Sequence, residues 1–228
     1  MWRGLAELIF PPSCLLCGAA AHPLCAGCRA ALMHAPLLPC PRCAASLGPF
    51  AQCLVCAREA FAFDAAIRLG VYEGVAREAI LRIKAGWNEP LAETLGQWWA
   101  QTRPCPEPVD ALVPIPLHWT RRLWRGYNQA EALARGLASV WRVPIRSSWL
   151  WRVRATPDQK AISRHARRDN LKDAFAVPLP QQHNLQGQRI ILVDDVMTSG
   201  ATCHEASRVL KAAGACRVIA AVLVRAND

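Results

Sequence analysis

No stretch of the 228 residues approaches the roughly 18 consecutive apolar positions that a membrane-spanning helix needs, so no membrane span is predicted. A secretion signal is missing as well. The opening, Met1 to Phe10, is interrupted by Glu7 and has no small-residue cleavage site, and Leu5, Leu8 and Ile9 read instead as one face of a short amphipathic helix packing on the protein. A cytoplasmic location is therefore expected. Acids are few, 17 against 27 lysines and arginines, which leaves a formal charge of +10. That excess suits polyanionic ligands, but basic charge alone does not separate nucleic-acid binding from plain solubility. No internal repeat is evident beyond paired cysteines. An apolar fraction of 53% supplies one medium core with room for a small appendage.

Cysteine is abundant where these other features are missing. Of eleven cysteines, eight form four Cys-x-x-Cys pairs: Cys14/Cys17, Cys25/Cys28, Cys40/Cys43 and Cys53/Cys56. A two-residue gap lets both sulfurs reach one tetrahedral ion, and Gly18, Gly27 and Pro41 are turn-formers of the kind such knuckles use. Two structural Zn²⁺ sites are predicted. A disulfide scaffold is the competing reading, but it needs an oxidising compartment that no secretion signal supports. Sequential use of the pairs needs only short hairpins and is favoured, while interleaving the first and third pairs would make a cross-brace. Eight thiolates around two Zn²⁺ would lower the formal charge to about +6. So short a module has little core, so metal must supply folding energy on the order of 10 kcal/mol per site. His22 and His34 lie near filled ligand sets and read as surface residues. Cys105, Cys203 and Cys216 read as small apolar residues. Cys203 stands out because it follows Thr202 at a helix start, where a thiol pKa tends to fall.

After Cys56 the cysteines thin out and strand–helix alternation begins, with a boundary near residues 57–63. This predicts residues 1–60 as an N-terminal helix and double zinc ribbon, and 61–228 as an α/β domain with a mostly parallel sheet. Strands are expected at Ala65 to Tyr72, Asp110 to Pro116, Arg189 to Val193 and Arg217 to Val224, with an extended piece at Trp149 to Val153. Helices are expected at Val75 to Lys84, Leu91 to Gln101, Asn128 to Val140 and Ala201 to Ala213.

The most informative run is Ile190 to Thr202. An apolar strand delivers Asp194 and Asp195 to its carboxyl end, followed by Val196, Met197 and a small hydroxyl-rich turn, Thr198-Ser199-Gly200-Ala201-Thr202, that opens a helix. Gly200 lets backbone approach a ligand closely, and a helix N-terminus attracts phosphate. The two acids suit a pair of ribose hydroxyls, and Thr198, Ser199 and Thr202 suit a 5'-phosphate. A double acid after a strand also fits a metal or phosphoacceptor site of another α/β fold. The whole run, in register, resembles the phosphoribosyl-pyrophosphate (PRPP) motif of type I phosphoribosyltransferases.

Two further segments are strongly basic. Pro116 to Gln129, with Arg121, Arg122, Arg125, Gly126, Asn128 and Gln129, reads as a loop between strand and helix that could clasp pyrophosphate or nucleic acid. The alternative is a solvated basic face anchored by Trp119 and Trp124. Arg154 to Asn170 reads as a lid that would bring Lys160 or Arg164 to the phosphates, or as a loop touching nucleic-acid backbone.

Taken together, the four knuckles, the Val-Pro-Ile-Pro-Leu strand with its Arg-Gly-Tyr-Asn-Gln turn (Arg125 to Gln129), the Thr-x-x-Gln-Lys lid and the PRPP motif resemble the ComF family over nearly the whole chain. The resemblance implies a double zinc ribbon joined to a type I phosphoribosyltransferase-like domain. It implies PRPP with Mg²⁺ bound at Asp194, Asp195 and Val196 to Thr202, and a role in natural transformation and the handling of single-stranded DNA, with a competence helicase as a partner. Nothing matches the base-binding hood of better-known phosphoribosyltransferases, so the acceptor is not implied. A catalytic phosphoribosyltransferase and a non-catalytic binder of single-stranded DNA or its 5'-phosphate both stay open.

Overall fold

The computed structural model describes residues 13–21, 23–35, 37–48, 51–86, 88–155 and 170–226. The expected helix within residues 1–10, His22, and the lid residues Lys160 and Arg164 lie outside them. Seven α-helices and six strands are present among the described residues: α1 (Ala26–Met33), α2 (Leu54–Arg58), β1 (Ala65–Val71), α3 (Gly74–Lys84), α4 (Glu89–Thr102), β2 (Ala111–Pro114), α5 (Trp119–Arg125), α6 (Gln129–Trp141), β3 (Trp151–Arg152), β4 (Phe175–Ala176), β5 (Arg189–Met197), α7 (Ala201–Ala212) and β6 (Arg217–Arg225).

Four strands form a parallel sheet in the order β1-β6-β5-β2. The central pair reads Ile-Ile-Leu-Val and Val-Ile-Ala-Ala-Val-Leu-Val because both of its faces are covered, which suits continuous apolar runs rather than alternation. One face packs against α7 through Leu192, Val218, Ala220 and Val222, together with Ala206 and Leu210. The other carries α3, α4 and α6 on Ile191, Val193, Ile219 and Ala221. Helices α4 and α6 approach closely because Gly96 and Gly136 face each other, and a Cβ on either would collide with the opposite backbone. The short strands β3 and β4 pair antiparallel beside the sheet and flank the expected lid.

Most of the expected elements form within a residue or two of the predicted bounds. The strand bearing the acid pair runs further than expected, to Met197, so Asp194 and Asp195 are still within the ladder. A larger difference concerns residues 119–125, read from sequence as a loop. They form helix α5, closed by Gly126 at φ 78°, and none of its residues is buried. At seven residues it makes fewer than two turns, too few for an apolar period to register in the sequence.

Candidate functional site

At the carboxyl edge of the sheet, β5 presents Asp194 and Asp195, and successive strand residues point to opposite faces. Asp194 turns toward the α7 face, where its charge is felt by Cys203 and Arg152. Asp195 turns toward the α3 face, where its Oδ2 lies 3.1 Å from Lys84 Nζ at the end of α3. Each carboxylate also accepts a backbone N–H, from Asp195 to Asp194 Oδ1 and from Val196 to Asp195 Oδ1, both at 2.9 Å. Burial, reinforced by the adjacent Asp195 charge, holds the Asp194 carboxyl well above its ordinary pKa. Lys84 shows the opposite balance. Burial disfavours its charge, but the Asp195 carboxylate outweighs burial and raises its pKa.

Beyond Met197 the chain turns through Thr198 and Ser199, both half-buried, to Gly200 at φ 79°. Gly200 caps α7 without a side chain, so it leaves the first-turn N–H groups without a side-chain cap from that position. Two constraints require glycine here: the left-handed backbone and the Phe61 ring, which would lie 2.8 Å from a Cβ. The Ser199 hydroxyl accepts from Ala201 N at 3.4 Å, His204 N donates to Gly200 O at 2.8 Å, and the buried Arg225 guanidinium donates to the Thr198 carbonyl. The result is a fixed, small-residue cradle at a helix N-terminus beside two acids and a lysine. Such an arrangement can hold a sugar phosphate.

The Arg125–Gln129 turn divides its residues between surface and scaffold. Tyr127 is buried, with its phenol pushed up to about 12 by that burial, and donates to the Ile83 carbonyl one residue before Lys84. Asn128 donates to Ile115 O at 3.0 Å and caps α6 by accepting from Ala130 N at 3.1 Å. Gln129 is buried beside it and Gly126 ends α5. These contacts fix the turn rather than reach outward. Arg122 points away, to Glu131 of α6 at 3.6 Å. Arg121 and Arg125 remain half-exposed near the site, with the charge of Arg121 felt at Arg152 and that of Arg125 at Lys84. Trp119 and Trp124 are not the packing anchors considered above, being 65% and 86% exposed.

Two functional candidates were not legible from sequence. Lys84 ends a helix and reads locally as an ordinary C-terminal cation. Arg152 lies in a two-residue strand, stacked 5.4 Å from the Phe175 ring, with no motif around it. Of the three unpaired cysteines read as small buried residues, Cys216 is exposed and Cys105 half-buried; Cys203 is buried as expected, but its thiol pKa does not fall. Although it lies in the first turn of α7, it is fully enclosed, and burial together with the Asp194 charge raises its thiol pKa.

The eight paired cysteines form two groups in sequential order, Cys14, Cys17, Cys25 and Cys28, then Cys40, Cys43, Cys53 and Cys56, with the sulfurs of each group within 4.8 Å of one another. Sulfur separations of 3.6 Å (Cys17–Cys25), 3.8 Å (Cys40–Cys56) and 3.5 Å (Cys43–Cys53) are too long for disulfides. They match the edge of a tetrahedron around an ion bound at about 2.3 Å. Backbone N–H groups donate to Sγ of Cys14, Cys25 and Cys53. Burial opposes ionisation of Cys14 and Cys53, but these bonds help hold their thiols at about 6 and about 7. Burial and the neighbouring thiols push Cys28, Cys43 and Cys56 the other way, so it is the sulfur spacing that fits both groups to a bound metal. His34 is exposed and outside them.

A model described as "Phosphoribosyl transferase domain" matches residues 125–228. The parallel sheet with its acid pair and the glycine turn into α7 thus give the chain a phosphoribosyltransferase-like fold, preceded by two four-cysteine groups. Competence protein F of Haemophilus influenzae is 31% identical over 199 residues, covering 84% of this chain and 85% of that protein. DNA utilization protein YhgH of Salmonella typhi is 31% identical over 224 residues, covering 92% and 96%. Competence protein ComFC of Bacillus subtilis is 26% identical over 195 residues, covering 82% and 77%. The chain belongs to the ComF family. Among solved structures, the glutamine PRPP amidotransferase of B. subtilis gives a TM-score of 0.42 at 19% identity, covering 59% of this chain and 26% of that one.

Proposed function

We propose that this chain binds PRPP with Mg²⁺ at the carboxyl edge of β5 and acts in DNA uptake, a reading supported by relatives named for competence and for DNA utilization. The carrying observation is the conjunction of a buried acid pair, a left-handed glycine opening α7 and Lys84 ion-paired to Asp195. In this reading Asp194 and Asp195 accept the ribose hydroxyls, Thr198 to Thr202 receive the 5'-phosphate, and Lys84 with Arg125 attracts pyrophosphate carrying Mg²⁺. Lys160 and Arg164 close over the ligand. Zn²⁺ fills both ribbons, with residues 1–60 and 61–228 as the two units, and the protein works in the cytoplasm.

Calorimetric titration of Mg²⁺-PRPP into zinc-replete protein tests it. Binding is expected in the wild type and should be lost in Asp194→Ala/Asp195→Ala. If the wild type gives no heat and no protection, the PRPP reading fails.

The exposed Trp119 and Trp124, set among Arg121, Arg122 and Arg125, favour a second activity on the same edge: binding of single-stranded DNA by base stacking and phosphate contact. In a catalytic version, an acceptor entering beside this surface forms the bond to the ribose anomeric carbon as pyrophosphate leaves.

A further inference from the structure

The two ribbons have the same sulfur arrangement but different neighbours. Cys14, Cys28 and Leu32 of the first belong to the apolar cluster of α3 and α4, and the Leu32 carbonyl sits where a Cβ on Gly70 of β1 would be. Cys40 and Cys43 of the second share a cluster with Phe61, Phe63, Met197, Ala201 and Cys203, the residues beneath the phosphate cradle.

Arg42 lies between Cys40 and Cys43, the two knuckle ligands. Its guanidinium donates to the Phe61 carbonyl at 2.6 Å and to the Phe63 carbonyl, and it lies 5.5 Å from the Phe63 ring. The Phe61 and Phe63 rings stack at 4.7 Å. Phe61 then presses on Gly200, and Ala62 N donates to His204 Nδ1 at 3.1 Å in the first turn of α7. The same ribbon is tied to the sheet by Arg68, which donates to Ser46 Oγ at 3.0 Å and Leu37 O at 3.3 Å. A continuous path therefore runs from a metal knuckle to the backbone that would hold the phosphate.

We propose that Arg42 is a positioning residue: the second ribbon, and not the first, holds the Thr198–Thr202 cradle in its phosphate-binding shape through Phe61 and His204. This rests on the zinc and PRPP readings above. By linkage, a ligand in the cradle raises the metal affinity of the second ribbon and leaves that of the first unchanged.

The test compares full-length zinc-replete wild type with Arg42→Ala, Arg42→Lys and, as the matched control in the first ribbon, Arg29→Ala. Amide hydrogen exchange of residues 197–204 reads the cradle directly, and metal analysis reads the ribbons. Exchange there is expected to rise at least about tenfold in Arg42→Ala, which removes both charge-assisted hydrogen bonds, to recover partly in Arg42→Lys and to stay unchanged in Arg29→Ala. Mg²⁺-PRPP affinity should fall by about the same factor. Unchanged exchange in Arg42→Ala overturns the proposal, whether the variant keeps both metals or loses one. Faster exchange accompanied by loss of one zinc supports it, because ribbon and cradle then fail together. If exchange responds but the wild type takes up no Mg²⁺-PRPP, the brace stands and only the PRPP reading falls. In equilibrium competition with a zinc chelator, Mg²⁺-PRPP is expected to tighten one of the two zinc sites; tightening of both, or of neither despite PRPP binding, counts against the proposal.

Discussion

Helices α4 and α5 each carry two tryptophans and sit at opposite extremes of burial. In α4, Trp98 and Trp99 are 7% and 0% exposed, whereas Trp119 and Trp124 of α5 are 65% and 86% exposed. The difference follows from what surrounds them. Leu91, Ala92, Leu95 and Trp99 recur on one face of a 14-residue helix, and Gly96 lets α6 close on it. The seven residues of α5 set Trp119, Leu123 and Trp124 on one side and three arginines on the other, yet none of them is buried. The core has already been completed by α4 and α6 before α5 is needed. Its tryptophans are consequently available to something outside the chain.

The sharpest way to break this contrast is to remove a ring on each side of it. Trp99→Ala should destabilise the protein by about 3–5 kcal/mol, read as a fall in Tm of roughly 2–4 °C per kcal/mol. A loss under about 1 kcal/mol would mean that α4 is not core. Trp119→Ala/Trp124→Ala should leave the Tm nearly where it was but weaken single-stranded DNA binding by about 1–3 kcal/mol per stacked base. A lowered Tm with unchanged DNA affinity would move α5 to the structural side.

The smallest expected effect lies at the edge between these regions. Asp194 is buried with its pKa raised, so its ionisation costs stability as pH rises from the ordinary carboxyl range through the folded-state value. Asp194→Asn should remove that cost, stabilising the ligand-free protein by about 1 kcal/mol at pH 8 and by less at pH 4. The same change should weaken Mg²⁺-PRPP binding. Destabilisation at pH 8 would show that the ionised carboxylate is held by something stronger than its repulsion from Asp195.

The strands and most helices were legible because burial on both faces leaves apolar runs, and amphipathic helices leave a 3.6-residue stripe. The Ile190–Thr202 run was legible because strand, acids, turn and helix are contiguous. Sequential grouping of the cysteines was also readable, since each pair of knuckles is joined by a short span. Lys84 and Arg152 were not. They reach the acid pair from α3 and β3, more than 40 residues away along the chain, and carry no local pattern. Likewise, Arg42 has nothing in its own segment to announce Phe61 or Gly200. The burial of Tyr127 depends on its bond to the Ile83 carbonyl of α3, a contact 44 residues away that its own segment does not announce.

Sequential ligand sets also set an order of assembly. All four sulfurs of the first group lie within residues 14–28, so that ribbon can close while most of the chain is still unsynthesised, and the second follows once Cys56 has emerged. The contact between Ala62 and His204 spans 142 residues and can only form near the end. The metal knuckles are thus local, early-forming parts waiting for a distant strand–turn–helix, and the slowest step in making the cradle is expected to be the docking of its two halves rather than the folding of either.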